Sequence, residues 1–218
     1  MAVMCFAVLG SLNPVTASAQ EAIPSQYKLV LEQKFYNLGI PTGRIDGIWD
    51  GQTQRAICTW RELTGRPISR KLPGLDEIYD VQVTKDLFTT TQHVLGLNIN
   101  LSCQVAIWVR DDVKKPITIF KISSGKEGYE TLPGTYKVGW SIDAWYESRT
   151  YPDGWMYRPL VFNIGQAIHG SQTEQMVHDY PASHGCVRAP KKAIDNLWKN
   201  GFGNGSIVHV YGRWVASR

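Results

Sequence analysis

The chain has 218 residues, which allows one or two domains with a real core. Hydrophobic residues make up 43% and charged residues 19%, the balance of a soluble globular protein. The net charge of +4 is mild and its basic residues are scattered, which speaks against a nucleic-acid partner; four cysteines are too few for a disulfide scaffold at this length.

Met1 to Ala19 carries no charged residue. Its apolar stretch, Ala2 to Leu9, is too short to span a bilayer and is followed by Asn13-Pro14 and by Ala17-Ser18-Ala19, a small-x-small cleavage pattern. Residues 1–19 therefore read as a secretory signal peptide lacking a basic start; the alternative is an apolar N-terminal tail. Export places the protein in the periplasm or cell wall, with no membrane span. Cys5 lies too early for a lipoprotein anchor. Cys58, Cys103 and Cys186 would remain, an odd number. In an oxidising compartment one disulfide, Cys58 to Cys103, and a free Cys186 is one accounting; two ordinary buried thiols at 58 and 103 is the other.

Tyr27, Val30, Leu31, Phe35 and Leu38 recur at helical spacing, and Gly39 is a stop. A loop rich in Gly and Asp follows, and a second helix starts near Thr53 with Ala56, Ile57, Trp60 and Leu63 on one face. The order of Gly39, Asp46-Gly47-Ile48-Trp49, Gly51-x-Thr53 and Ala56-Ile57 resembles the small peptidoglycan-binding module of many wall enzymes. The resemblance implies that residues 25–66 bind the wall; a generic helical hairpin is the plainer reading. Residues 67–96, punctuated by Pro67, Pro73 and Gly74, read as a connector with a short helical turn over 75–79. His93 reads as a satisfied or solvated histidine.

From Ile99 the period becomes two. Val105–Val109 and Ile117–Ile122 predict strands joined by a loop over 111–116, and 135–140, 160–164 and 207–210 predict others. The apolar run from Val161 to Ile168 reads as one buried strand delivering His169 at its end. Between strands, residues 141–157 hold Trp145, Tyr146, Tyr151, Trp155 and Tyr157. These rings form either a lid over a cleft or a second small core, and Tyr157 is a candidate substrate contact. Residues 173–179 predict a short helix bearing an exposed His178. Pro190 is placed as a first helical residue before the apolar face of Ala193, Ile194, Leu197 and Trp198.

The chemistry gathers at Ser183-His184-Gly185-Cys186-Val187-Arg188, taken with His169-Gly170. A thiolate is the reactive form of cysteine, and a neighbouring imidazole can take the thiol proton. Zinc is disfavoured because no paired cysteines stand at short spacing, and a serine nucleophile at Ser183 lacks a Gly-x-Ser-x-Gly elbow. No metal and no cofactor are expected.

These motifs, with Ser123-Ser124-Gly125-Lys126 and Thr131-Leu132-Pro133-Gly134-Thr135-Tyr136 ahead of them, closely resemble the YkuD-type L,D-transpeptidases. One departure is Arg188, where many members carry Asn. The resemblance implies an α+β protein: a small helical wall-binding module, then a mostly antiparallel β-sandwich-like catalytic domain over 97–212. It implies a Cys186 nucleophile, a His169 base, a Gly170 carbonyl that orients the ring, and an oxyanion held by the amides of Gly185 and Cys186. Ser183, His184, Arg188 and Tyr157 would line the substrate site. The expected reaction is 3→3 cross-linking of peptidoglycan stem peptides on glycan strands. An L,D-carboxypeptidase or wall–protein amide hydrolase would use the same residues, and a non-catalytic wall-binding protein is the third possibility.

Overall fold

The computed structural model describes residues 23–90, 92–110 and 116–216. The signal peptide expected over 1–19, Cys5 and most of the loop expected over 111–116 lie outside the described residues.

Helix α1 (Ser25–Asn37) buries Leu31 and Phe35. Tyr27 and Val30, expected on the inner face, are instead exposed at 37% and 44%. The helix is turned so that Glu32 points inward. That carboxylate accepts the amides of Asp46 and Gly47, both at 2.8 Å, and the Thr53 hydroxyl at 3.0 Å. A buried carboxylate must be satisfied in this way, so the Gly-Asp loop fixes the helix rotation. Helix α2 (Gly51–Leu63) starts two residues before the position expected, because the Asp50 side chain caps it by accepting the amides of Gln52 and Thr53. Ala56, Ile57, Trp60 and Leu63 are buried as their spacing requires. Helix α3 (Leu75–Val83) extends the short turn expected at 75–79.

Two sheets follow. The first comprises β1 (Gly96–Asn100), β2 (Val105–Val109), β3 (Thr118–Lys121), β4 (Gly134–Lys137) and β10 (Ile207–Tyr211), in the order β3-β2-β1-β10-β4. The second comprises β5 (Trp140–Ser141), β6 (Trp145–Glu147), β7 (Trp155–Asn163), β8 (Gln166–Gly170) and β9 (Val187–Ala189), in the order β5-β7-β8-β9, with β6 pairing β7. The pairs β1–β10 and β8–β9 are parallel and the others antiparallel. Leu97, Ile99 and Val208 of the first sheet pack with Leu160, Ile168 and Val187 of the second, and with Ile194 and Leu197 of α4 (Lys191–Lys199).

The helices share their core with the first sheet. Val105, Ile107 and Val109 of β2 pack with Phe35, Ile57 and Trp60, while Ala106 and Trp108 face the other sheet. Strand β2 is thus buried on both faces, which explains its unbroken apolar run. The Cys58–Cys103 disulfide, with a Cα–Cα distance of 5.4 Å, ties α2 to the turn before β2. Beside it the buried Glu62 carboxylate meets His93 Nε2 at 3.1 Å and accepts from Asn100 Nδ2 at 2.8 Å and from the Tyr211 hydroxyl. His93 is therefore a satisfied interior histidine.

Three local expectations are corrected. The run 161–168 is the turn of the β7–β8 hairpin and its flanks, not one strand: Ile164 is 97% exposed, and Gly165 adopts φ +72°, which glycine tolerates best. The helix expected over 173–179 is one 3-10 turn, Glu174–Met176; His178 lies beyond it, half-buried and stacked on Tyr180. Pro190 caps α4 rather than opening it, since its ψ of 139° is not helical.

Candidate active site

Strands β8 and β9 run parallel, with Ile168 opposite Val187, His169 opposite Arg188 and Gly170 opposite Ala189. Side chains alternate along a strand, so His169 and Arg188 share a face. Cys186 precedes Arg188 by two positions and Ser171 follows His169 by two, so all four point to that face. It is the floor of a cleft lined by Cys186, His169, Arg188, Ser171, Ser183 and His184. The β6–β7 hairpin supplies a wall that includes Tyr151, Trp155 and Met156. Two rings of the aromatic segment thus border the cleft, while Trp145 packs on Tyr157 and Trp140 on Tyr146.

The loop carrying Cys186 is held from below. Gly185 takes φ +110°, a conformation that L side chains rarely adopt. Its carbonyl accepts from the buried Thr131 hydroxyl at 2.9 Å, and the Thr131 hydroxyl oxygen in turn accepts the Gly125 amide at 2.9 Å. Ser124 O accepts the amides of Ala182 and Ser183, and Ser123 exchanges two 2.9 Å backbone bonds with Arg188. The segments 123–126 and 131 therefore fasten the loop. A Cβ at Gly125 would come within 1.9 Å of Tyr129 O, so the backbone there admits no side chain.

His169 is buried, 6% exposed, and its Nδ1 lies 3.0 Å from Gly170 O. The tautomer that satisfies this carbonyl carries its proton on Nδ1 and leaves Nε2 as an acceptor. Burial pushes its pKa down to about 4; the Gly170 bond opposes this and the Arg188 charge adds to it. Burial also pushes the Cys186 thiol up, against the pull of a backbone bond at Ala167 and of Arg188. The resting pair is a neutral imidazole and a neutral thiol. Cys186 is the free cysteine among the described residues.

The other expected residues divide. Ser183 is buried; its hydroxyl donates to Cys186 O and accepts the Gly185 amide at 3.1 Å. The Gly185 amide, expected to hold an oxyanion, is thus engaged by Ser183 in this structure. His184 is exposed, lies between Tyr129 and Tyr151, and has its pKa lowered, first by the burial it does suffer and then by Lys126 and Arg188. Arg188 is half-buried, and no carboxylate among the described residues is paired with it. Tyr157 does not line the cleft. Its hydroxyl donates to Asp195 at 2.8 Å, and its ring packs where a Cβ at Gly170 would come within 2.9 Å. Sequence reasoning missed Ser171 and the loop-holding role of Thr131. The two-residue step from His169 would have flagged the first; nothing local flags the second.

Among the described residues no three His, Cys, Asp or Glu side chains are grouped to hold a metal ion, and no helix is long and apolar enough to cross a membrane. Two mixed sheets thus bring a cysteine and a histidine to one cleft floor. The family model of the YkuD L,D-transpeptidase catalytic domain matches residues 96–210, more than half of the chain, and the chain belongs to this family. A crystal structure of the L,D-transpeptidase of Xylanimonas cellulosilytica is similar, with 29% identity and a TM-score of 0.56 over 84% of this chain and 92% of that one. The L,D-transpeptidase of Stackebrandtia nassauensis shares the fold, at 22% identity and a TM-score of 0.54 over 88% and 94% of the two chains. No curated protein matches the chain.

Proposed function

We propose that this chain is an exported L,D-transpeptidase that forms 3→3 peptidoglycan cross-links through a thioester on Cys186. The observation that carries the reading is the shared face: His169 and Cys186 line one cleft, with the Gly170 carbonyl on the far nitrogen of the ring. His169 Nε2 takes the thiol proton as Cys186 Sγ attacks the carbonyl of the third stem residue, whose L-centre is linked to a D-amino acid. The amide of Cys186 donates to the developing oxyanion, since the Gly185 amide is held by Ser183. The C–N bond breaks, the leaving amine takes the proton from His169, and the thioester remains. The amine of a second stem then displaces the sulfur, giving its proton back through His169 to Cys186. Because the resting pair is neutral, proton transfer accompanies attack rather than preceding it. Arg188 favours the thiolate as it forms.

The division into a wall-binding part over 25–66, a connector over 67–96 and a catalytic domain over 97–212 belongs to the same proposal. Deleting 25–66 would uncover the N-terminal face of β2, so wall binding is better tested at the exposed Tyr36 and Ile48, 65% and 59% accessible. Their joint change to Ala lowers pelleting with sacculi; unchanged pelleting counts against the module. The function itself is tested by incubating the purified protein with disaccharide-tetrapeptide and weighing the products. A cross-linked dimer with release of the D-amino acid supports the proposal. Tripeptide monomer alone assigns a carboxypeptidase, and no product leaves a wall-binding protein.

A further inference from the structure

Ser171 presents a problem that the chemistry above does not solve. It is 3% exposed, and its hydroxyl has no hydrogen-bond partner among the described residues. Burying a hydroxyl unpaired is costly, and native proteins seldom leave one so. This one lies on the floor of the reactive cleft. Its own amide donates to Ala189 O at 2.9 Å, which continues the β8–β9 ladder one step beyond Gly170 and fixes the direction of the side chain. Along the floor the order is Cys186, then His169 with Arg188 opposite, then Ser171. Arg188 has no carboxylate partner among the described residues, and burial lowers its pKa. The acidic side chain in the lining, Asp153, comes from the hairpin wall rather than from the strand floor.

We infer that the Ser171 hydroxyl and the Arg188 guanidinium form a subsite for the free α-carboxylate of the amino acid that leaves during acylation. This rests on the transpeptidase reading. His169 must reach the leaving amine to protonate it. The α-carboxylate stands two bonds from that amine, and the floor beyond His169, away from Cys186, is where Ser171 projects. One strand step of two residues is roughly 6.6 Å, which matches a carboxylate just past an amine held at the imidazole. The carboxylate accepts a charge-assisted bond from Arg188 and the O–H of Ser171, and the unpaired hydroxyl gains its partner. Such a subsite selects stems whose scissile bond is the last one, because a further residue would turn the carboxylate into an amide. An acceptor amine enters where the leaving amine departed, so an acceptor with its amine α to a carboxylate uses the same pair.

The test uses the full chain carrying Cys186→Ala, which binds without turning over. Calorimetry compares a stem tetrapeptide ending in a D-alanine free acid with the same peptide ending in D-alaninamide. The acid binds more tightly. Adding Ser171→Ala weakens the acid about tenfold, the loss of one charge-assisted bond, and leaves the amide unchanged; Ser171→Thr keeps the preference. Equal binding of acid and amide by the parent, or an equal loss for both in Ser171→Ala, overturns the subsite and leaves the transpeptidase reading standing. Binding of neither peptide overturns both. Thermal melting separates a folding effect: Ser171→Ala melts no lower than its parent, since it removes an unpaired hydroxyl. A fall of more than a few degrees would show that the hydroxyl has a structural partner.

Discussion

Acid should destabilise this fold through a single ring. His169 has an ordinary pKa of 6.5 and a folded value of about 4, chiefly because it is buried. Below pH 6.5 the unfolded chain binds a proton that the folded chain refuses, so stability is lost as pH falls from about 6.5 towards about 4 and the loss then levels off. A depression from 6.5 to about 4, at 1.36 kcal/mol per unit, amounts to about 3 kcal/mol at the acid end. Carboxylates titrate in the same window, so the quantity to measure is a difference. Urea unfolding of the wild type and of His169→Gln is followed at half-unit steps from pH 7.5 to 4. The two stability curves diverge by about 3 kcal/mol, the wild type losing more, and nearly all of the divergence appears between pH 6.5 and 4. Parallel curves would mean that the imidazole is not buried in its neutral form, and the neutral-pair account of the site would fail with it.

The thiol gives a complementary reading. Because burial raises the Cys186 pKa, its thiolate fraction at pH 7 is below the roughly 3% of an unperturbed cysteine. Iodoacetamide labelling of Cys186 should climb about tenfold per pH unit from pH 6 to pH 8, with no acid plateau; a plateau would reveal a preformed ion pair. Thr131→Val leaves Gly185 O and the Gly125 amide without the hydroxyl that joins them. It should cost about 1–3 kcal/mol in urea unfolding and lower kcat more than it raises KM, and an unchanged kcat would remove Thr131 from loop positioning. Replacing both Cys58 and Cys103 by Ala opens a crosslink spanning 45 positions, and the chain-entropy relation gives a loss of about 4 kcal/mol. A loss below about 1 kcal/mol in calorimetric unfolding would argue that the denatured chain is held compact by other contacts.

The site was legible in the sequence to the extent that it is local. Gly185 and Cys186 announce themselves because a tight turn beside a thiol needs a glycine, and His169-Gly170 is a strand end with a built-in carbonyl. What the sequence hid depends on pairing between strands. The parallel register of β8 and β9 places Arg188 and Ser171 on the floor, and no periodicity within either segment states it. The run 161–168 misled because the hairpin tip carries an apolar Ile164 that is fully outside, so hydrophobicity continues through a turn. Tyr157 looked like a cleft residue because it stands near His169 along the chain. A partner 38 positions later, Asp195, turns its hydroxyl elsewhere. The helical spacing marks no role for Glu32, and only the three donors that converge on it explain its burial.

In the proposed reaction the Cys186 sulfur carries the acyl group. Intact-protein mass spectrometry after brief mixing with a tetrapeptide stem, quenched in acid, measures this directly. The expected result is an added mass equal to the stem less its terminal D-amino acid, mapped to Cys186 by peptide digestion, and no adduct on Cys186→Ala. Release of the D-amino acid by Cys186→Ala, or an adduct mapped to Ser183 or another side chain, would contradict it.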